Sequence, residues 1–76
     1  MGIEETQAQL QMEFMKRFEM LQGDRGYQEF ADQLGLNRST VYNYAHGVRF
    51  PTAAALANIA DRSGVTVDWL LGREEE

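Results

Sequence analysis

Apolar residues recur at helical spacing in five stretches of the chain, set apart by glycine or proline. The first stretch runs from Ile3 to Gln22, where Ile3, Leu10, Phe14, Phe18 and Leu21 share one narrow stripe at about 100° per residue. Ala8, Met12 and Met15 form a second stripe beside it, and the Gln, Glu, Met and Leu content favours helix throughout. Gly23-Asp24-Arg25-Gly26 reads as a turn. Phe30, Ala31 and Leu34 then occupy one face of a second helix. Gly35 breaks the pattern, Leu36 is the lone apolar residue of the turn, and Val41 and Tyr44 resume the stripe. Gly47-Val48-Arg49-Phe50-Pro51 is a loop. Thr52 can cap a helix over Ala53 to Asp61 that turns Leu56, Ile59 and Ala60 inward and ends at Gly64. The alternation in Val65 to Val67 is too short for a strand, and it leads into a last helical turn from Asp68 to Leu71. The expectation is an all-α fold of five helices.

The 76 residues make one small domain, 1–76, with residues 73–76 read as a frayed tail or the start of a linker. A core this small needs well-packed helices or a second subunit to support it. Cysteine is absent, which excludes a disulfide framework and a Cys-based zinc site. No apolar run approaches the roughly twenty residues of a membrane span, and no basic-then-apolar leader opens the chain, so a cytoplasmic protein without membrane association is expected. An enzyme is not expected either. There is one histidine, no glycine-rich phosphate loop and no carboxylate pair placed in a plausible cleft, Glu4-Glu5 and Glu74 to Glu76 being terminal runs. No catalytic residue, metal, cofactor or small-molecule ligand is therefore predicted.

Charge at first argues against a nucleic-acid partner, because the net charge is −5 and DNA-binding domains are usually basic. The distribution changes that picture. Between Gln33 and Ala60 there is no acid, only Arg38, Arg49 and the single histidine, His46. Salt screens exposed charges beyond about 8–10 Å, so this stretch can present an attractive local face on an acidic molecule.

Residues Tyr27 to His46 (YQEFADQLGLNRSTVYNYAH) carry most of the functional signal. Gly35 can take φ > 0 just past a helix end. Ala31 is small where a second helix must cross close to the first, and Asn37 can cap that second helix. This segment resembles the helix-turn-helix of the Cro/cI-type, lambda-repressor-like DNA-binding domains, with the alanine, the glycine and the apolar positions in the expected places. The tail GVTVDWLLG is similar to that family's closing helix, so the resemblance covers roughly Phe14 to Gly72. It implies a compact five-helix domain, here with an extended N-terminal helix, that binds double-stranded DNA.

In a helix-turn-helix the second helix enters the major groove. Here that helix is Arg38 to Ala45, with Val41, Tyr44 and Ala45 turned to the core. Arg38, Ser39, Thr40, Tyr42 and Asn43 face outward. Arginine pairs with guanine, asparagine with adenine, and the hydroxyls with several base edges. The resemblance implies that Arg38, Ser39 and Asn43 do most of the base reading, with Thr40 next and Tyr42 on sugar-phosphate. Tyr27 and Gln28, at the N-terminal end of the first motif helix, are expected on the DNA backbone, together with His46 and Arg49. Plainer roles compete: a solvated Arg38, an Asn43 that is only a surface residue, a His46 that complements the helix C-terminal dipole.

Repressors of this type read palindromes as two-fold dimers, so a homodimer is expected, formed through the N-terminal segment or through Trp69 to Leu71. Ala8, Met12 and Met15 fit that contact or a widened core. The function expected is a sequence-specific transcriptional regulator, a phage- or prophage-type repressor or its N-terminal domain. Two alternatives stand beside it: an antitoxin-like regulator, and a protein-interaction module that keeps the fold without binding DNA.

Overall fold

The computed structural model describes residues 6–74, and its order is α1 (Gln7–Gln22), α2 (Tyr27–Leu34), α3 (Arg38–Ala45), α4 (Ala53–Ser63) and α5 (Val67–Leu70). All described elements are helices, as the apolar spacing predicts. Ile3, placed first on the N-terminal stripe, lies outside the described residues.

The helix ends show why these residues fold locally as they do. Thr6 and Gln9 form a capping box: Gln9 N–H donates to Thr6 Oγ1 at 3.1 Å and Thr6 N–H to Gln9 Oε1 at 3.0 Å. Thr52 and Thr66 accept from Ala55 N–H at 3.1 Å and Trp69 N–H at 3.0 Å, starting α4 and α5. Gly35 closes α2 at φ 71°, with Leu36 N–H donating to Ala31 carbonyl at 2.9 Å and Gly35 N–H to Asp32 carbonyl at 3.3 Å. That crossed pair satisfies two carbonyls left over at the helix end. The same arrangement at Gly64 ends α4, which runs on to Ser63 rather than stopping at Asp61.

The core is built around aromatic rings. Phe14 and Phe18, one turn apart on α1, are fully buried with centroids 5.0 Å apart; Phe18 meets Phe30 of α2 at 5.0 Å, and both α1 rings meet Tyr44 of α3 edge-on at 6.2 Å. Phe50 folds under the loop after α3 and packs on Phe14 at 5.6 Å. Leu34, Val41, Ile59 and Leu70 complete the interior. Each fully buried side chain of this size contributes about 1.5–3 kcal/mol, which is how a 76-residue chain holds one fold.

Trp69 is 8% exposed and Leu70 0%, so these two residues of the closing helix are spent on the core, with the Arg17 guanidinium 4.7 Å over the indole ring. Arg73 N–H donates to Asp68 carbonyl at 2.9 Å, and Glu74 accepts from the Thr66 hydroxyl through its side chain and from Arg17 through its carbonyl. Ala8, Met12 and Met20 of α1 face solvent, while Met15 packs against the core edge.

Candidate nucleic-acid interface

The helix pair α2 and α3 is held in place from both sides. On one side α4 reaches the end of α2: Asn58 Nδ2 donates to Leu34 carbonyl at 3.0 Å and Arg62 Nη1 to Gln33 carbonyl at 3.5 Å. A cation at that end also suits the helix dipole. On the other side α1 reaches the end of α3, where Gln11 Nε2 donates to Gly47 carbonyl at 3.0 Å. Gly47 sits at φ 74°, and a β-carbon there would come within 3.0 Å of Met15 Sδ. These contacts join elements far apart in sequence, and no local pattern announces them.

Within the pair, Phe30, Ala31, Leu34, Val41 and Tyr44 are buried and fix the crossing. α2, the glycine turn and α3 form a helix-turn-helix.

The outward face of α3 holds the residues expected to read bases. Arg38 is exposed at its first position, and its guanidinium forms no hydrogen bond or ion pair with any described residue. Arg38, Ser39 and Tyr42 line one concavity of about 380 Å³. Asn37 Oδ1 accepts from Thr40 N–H at 3.0 Å, from Thr40 Oγ1 at 2.7 Å and from Ser39 Oγ at 3.1 Å. Both hydroxyl protons are thus directed inward, and the oxygens of Ser39 and Thr40 are left to accept. Asn43 is half-buried. Its carbonyl receives Val48 N–H at 2.9 Å and Arg49 N–H at 3.3 Å, while its side-chain amide has no partner among the described residues.

Of the residues expected on the DNA backbone, three come together. Tyr27 at the start of α2 places its hydroxyl 2.8 Å from His46 Nε2. His46 caps α3 and stacks on Tyr42, four residues earlier, with centroids 4.1 Å apart and planes at 26°. Tyr27 meets Tyr42 edge-on at 5.3 Å, so Tyr27 ties α2 to the outward face of α3. The Tyr42–His46 stack is consistent with their i, i+4 spacing. The link to Tyr27, nineteen residues from His46, left no sequence signal.

Gln28 turns its side chain along its own helix, donating to Asp32 Oδ1 at 2.9 Å. Its backbone is another matter. Gly26 supplies no side-chain cap, and the first backbone bond of α2 is Phe30 N–H to Gly26 carbonyl, so the N–H groups of Tyr27 and Gln28 have no intrahelical acceptor. Arg49 lies in the loop after α3, exposed, and its guanidinium has no partner among the described residues. Beside it Val48 is 66% exposed, an apolar side chain open to solvent.

Over 46 residues the chain is 48% identical to the HTH-type transcriptional regulator AnsR of Bacillus subtilis (strain 168). That stretch is 60% of this chain and 40% of that protein, so the similarity covers less than half of the relative's length. No family model matches the chain, and no solved structure is matched.

Proposed function

We propose that this protein is a sequence-specific DNA-binding transcriptional regulator that reads the major groove with α3. The observation that carries this reading is the outward face of α3. An unpartnered guanidinium at Arg38 and an unpartnered amide at Asn43 stand beside two hydroxyl oxygens in an acid-free stretch of the chain. Arg38 suits the two acceptors of guanine, Asn43 the acceptor–donor pair of adenine, and Ser39 and Thr40 the exocyclic amines of cytosine or adenine. The open N–H groups of Tyr27 and Gln28, with Tyr42, His46 and Arg49, take phosphates and set the register. The similarity to a transcriptional regulator supports the same reading.

The regulator acts as a two-fold dimer on a palindrome, in the manner of a phage-type repressor. Of the two segments expected to meet a second subunit, α5 has Trp69 and Leu70 buried, whereas α1 leaves Met12 67% and Met20 62% exposed. The net charge of −5 favours one further reading, a protein-interaction module of the same fold. Selection of bound DNA from a random library separates the two. A palindromic consensus is expected, and failure to enrich any sequence would leave the interaction module standing.

A further inference from the structure

Tyr27, Tyr42 and His46 form a closed arrangement in which every member touches the other two. Tyr27 and His46 share a 2.8 Å hydrogen bond, Tyr42 and His46 stack at 4.1 Å, and Tyr27 and Tyr42 meet at 5.3 Å. Two tautomers of neutral imidazole could sit there. A phenol is a good donor and a poor acceptor, whereas a bare imidazole nitrogen is a good acceptor, so the bond is strongest with Tyr27 O–H donating to Nε2. The proton of the neutral ring then belongs on Nδ1. Nδ1 has no hydrogen-bond partner among the described residues, and the ring is exposed.

We propose that Tyr27 is a positioning residue for His46: its hydroxyl holds the neutral imidazole in the tautomer whose Nδ1–H donates to a DNA phosphate. This rests on the DNA-binding reading above. The stack on Tyr42 fixes the ring plane, so both the direction and the identity of the donor are set before DNA arrives. The arrangement answers the problem of a cation-poor surface, because His46 can grip phosphate without carrying charge. The charged side chains facing the pair come from α1, where Lys16 and Glu19 line the same groove of about 550 Å³ as Tyr27 and His46. They oppose one another in sign, and neither bonds to the ring. Tyr27 and Tyr42 are the titratable groups in contact with it from α2 and α3.

Tyr27→Phe tests this, since the ring that packs on Tyr42 is kept and only the hydroxyl is lost. Nitrogen chemical shifts of His46 in the full chain, recorded at pH 7.5 without DNA, should show Nδ1–H in the wild type and Nε2–H predominating in the variant. On the selected DNA, the variant should bind on the order of 3- to 10-fold more weakly at pH 7.5. In a His46→Ala background the same substitution should leave the affinity unchanged. An unchanged tautomer in the variant, or an equal loss of affinity in the His46→Ala background, overturns the positioning role. A wild type that shows the Nδ1–H tautomer yet selects no DNA overturns the functional reading and its phosphate partner together. DNA selection with a loss of affinity that persists in the His46→Ala background removes the positioning role alone.

Discussion

Arg38 stands at the first position of α3 with no partner of its own, so its removal costs the folded protein nothing that the structure shows. Its contribution is reserved for what the helix meets. Arg38→Ala is expected to weaken binding to the best site by about 1–3 kcal/mol and to relax preference at one base pair per half-site. Repeating the selection with the variant checks this, and an unchanged consensus at unchanged affinity would remove Arg38 from base reading. Ser63 presents the opposite case. Its hydroxyl oxygen is buried without a hydrogen-bond partner, in the last turn of α4 and away from α3. An unpaired buried hydroxyl costs about 1–3 kcal/mol, and alanine removes it while leaving the helix intact. Ser63→Ala should therefore hold or raise the melting temperature, with DNA affinity unaltered. A clear drop on thermal denaturation would show that the hydroxyl has a partner in solution.

At the scale of the elements, the turn between α2 and α3 determines whether the recognition face exists. Gly35 lies at φ 71°, and a β-carbon there would also come within 3.1 Å of the Arg62 guanidinium that donates to Gln33 carbonyl. Gly35→Val thus adds backbone strain of roughly 1–3 kcal/mol and displaces a cation from the end of α2. A lower melting temperature and lost DNA binding are expected together; a melting curve like that of the wild type would contradict the geometry of the turn. Gly35 was legible in the sequence because a helix stop is a local event: the apolar stripe halts, glycine follows, and Leu36 supplies the apolar contact beyond. Asn37, Thr52 and Gly64 were legible for the same reason. The start of α1 was less so, because the apolar stripe points back to Ile3, although the Thr6–Gln9 box marks its entrance in local sequence. The clamps on the motif were out of reach. Gln11 to Gly47, Asn58 to Leu34 and Tyr27 to His46 join residues 36, 24 and 19 apart, and only the packing of the shared core, from Phe14, Phe18, Phe30 and Tyr44 to Leu56 and Ile59, brings their helices together. The outward residues of α3 could be named from spacing. That the protons of Ser39 and Thr40 point to Asn37, leaving acceptors outward, required the folded cap.

For the whole molecule, the question raised by the proposed function is how a chain of net charge −5 would hold DNA. Arg38 and Arg49 are the exposed arginines of the acid-free stretch, and His46 is engaged by Tyr27 and Tyr42. Log affinity falls with log salt at a slope of about −0.9 for each phosphate neutralised, so two cations per subunit give a monomer a weak, shallow dependence. Neutral donors add contacts without adding slope: the N–H groups opening α2, the hydroxyl of Tyr42 and the imidazole of His46. A dimer doubles both kinds of contact and reads two half-sites about 34 Å apart, one turn of the duplex. Specific binding is therefore expected to be dimeric, with a slope near −4 for the pair, shallow for a repressor whose grip is mostly cationic. Sedimentation of the protein with a labelled palindromic fragment, across a salt series, measures stoichiometry and slope in one experiment. Two chains per fragment with a slope close to that value would fit an assembly that relies on geometry more than on charge. A one-to-one complex of full affinity on a single half-site would contradict the dimer, and a much steeper slope would mean that cations outside α3 and its loop also reach the DNA.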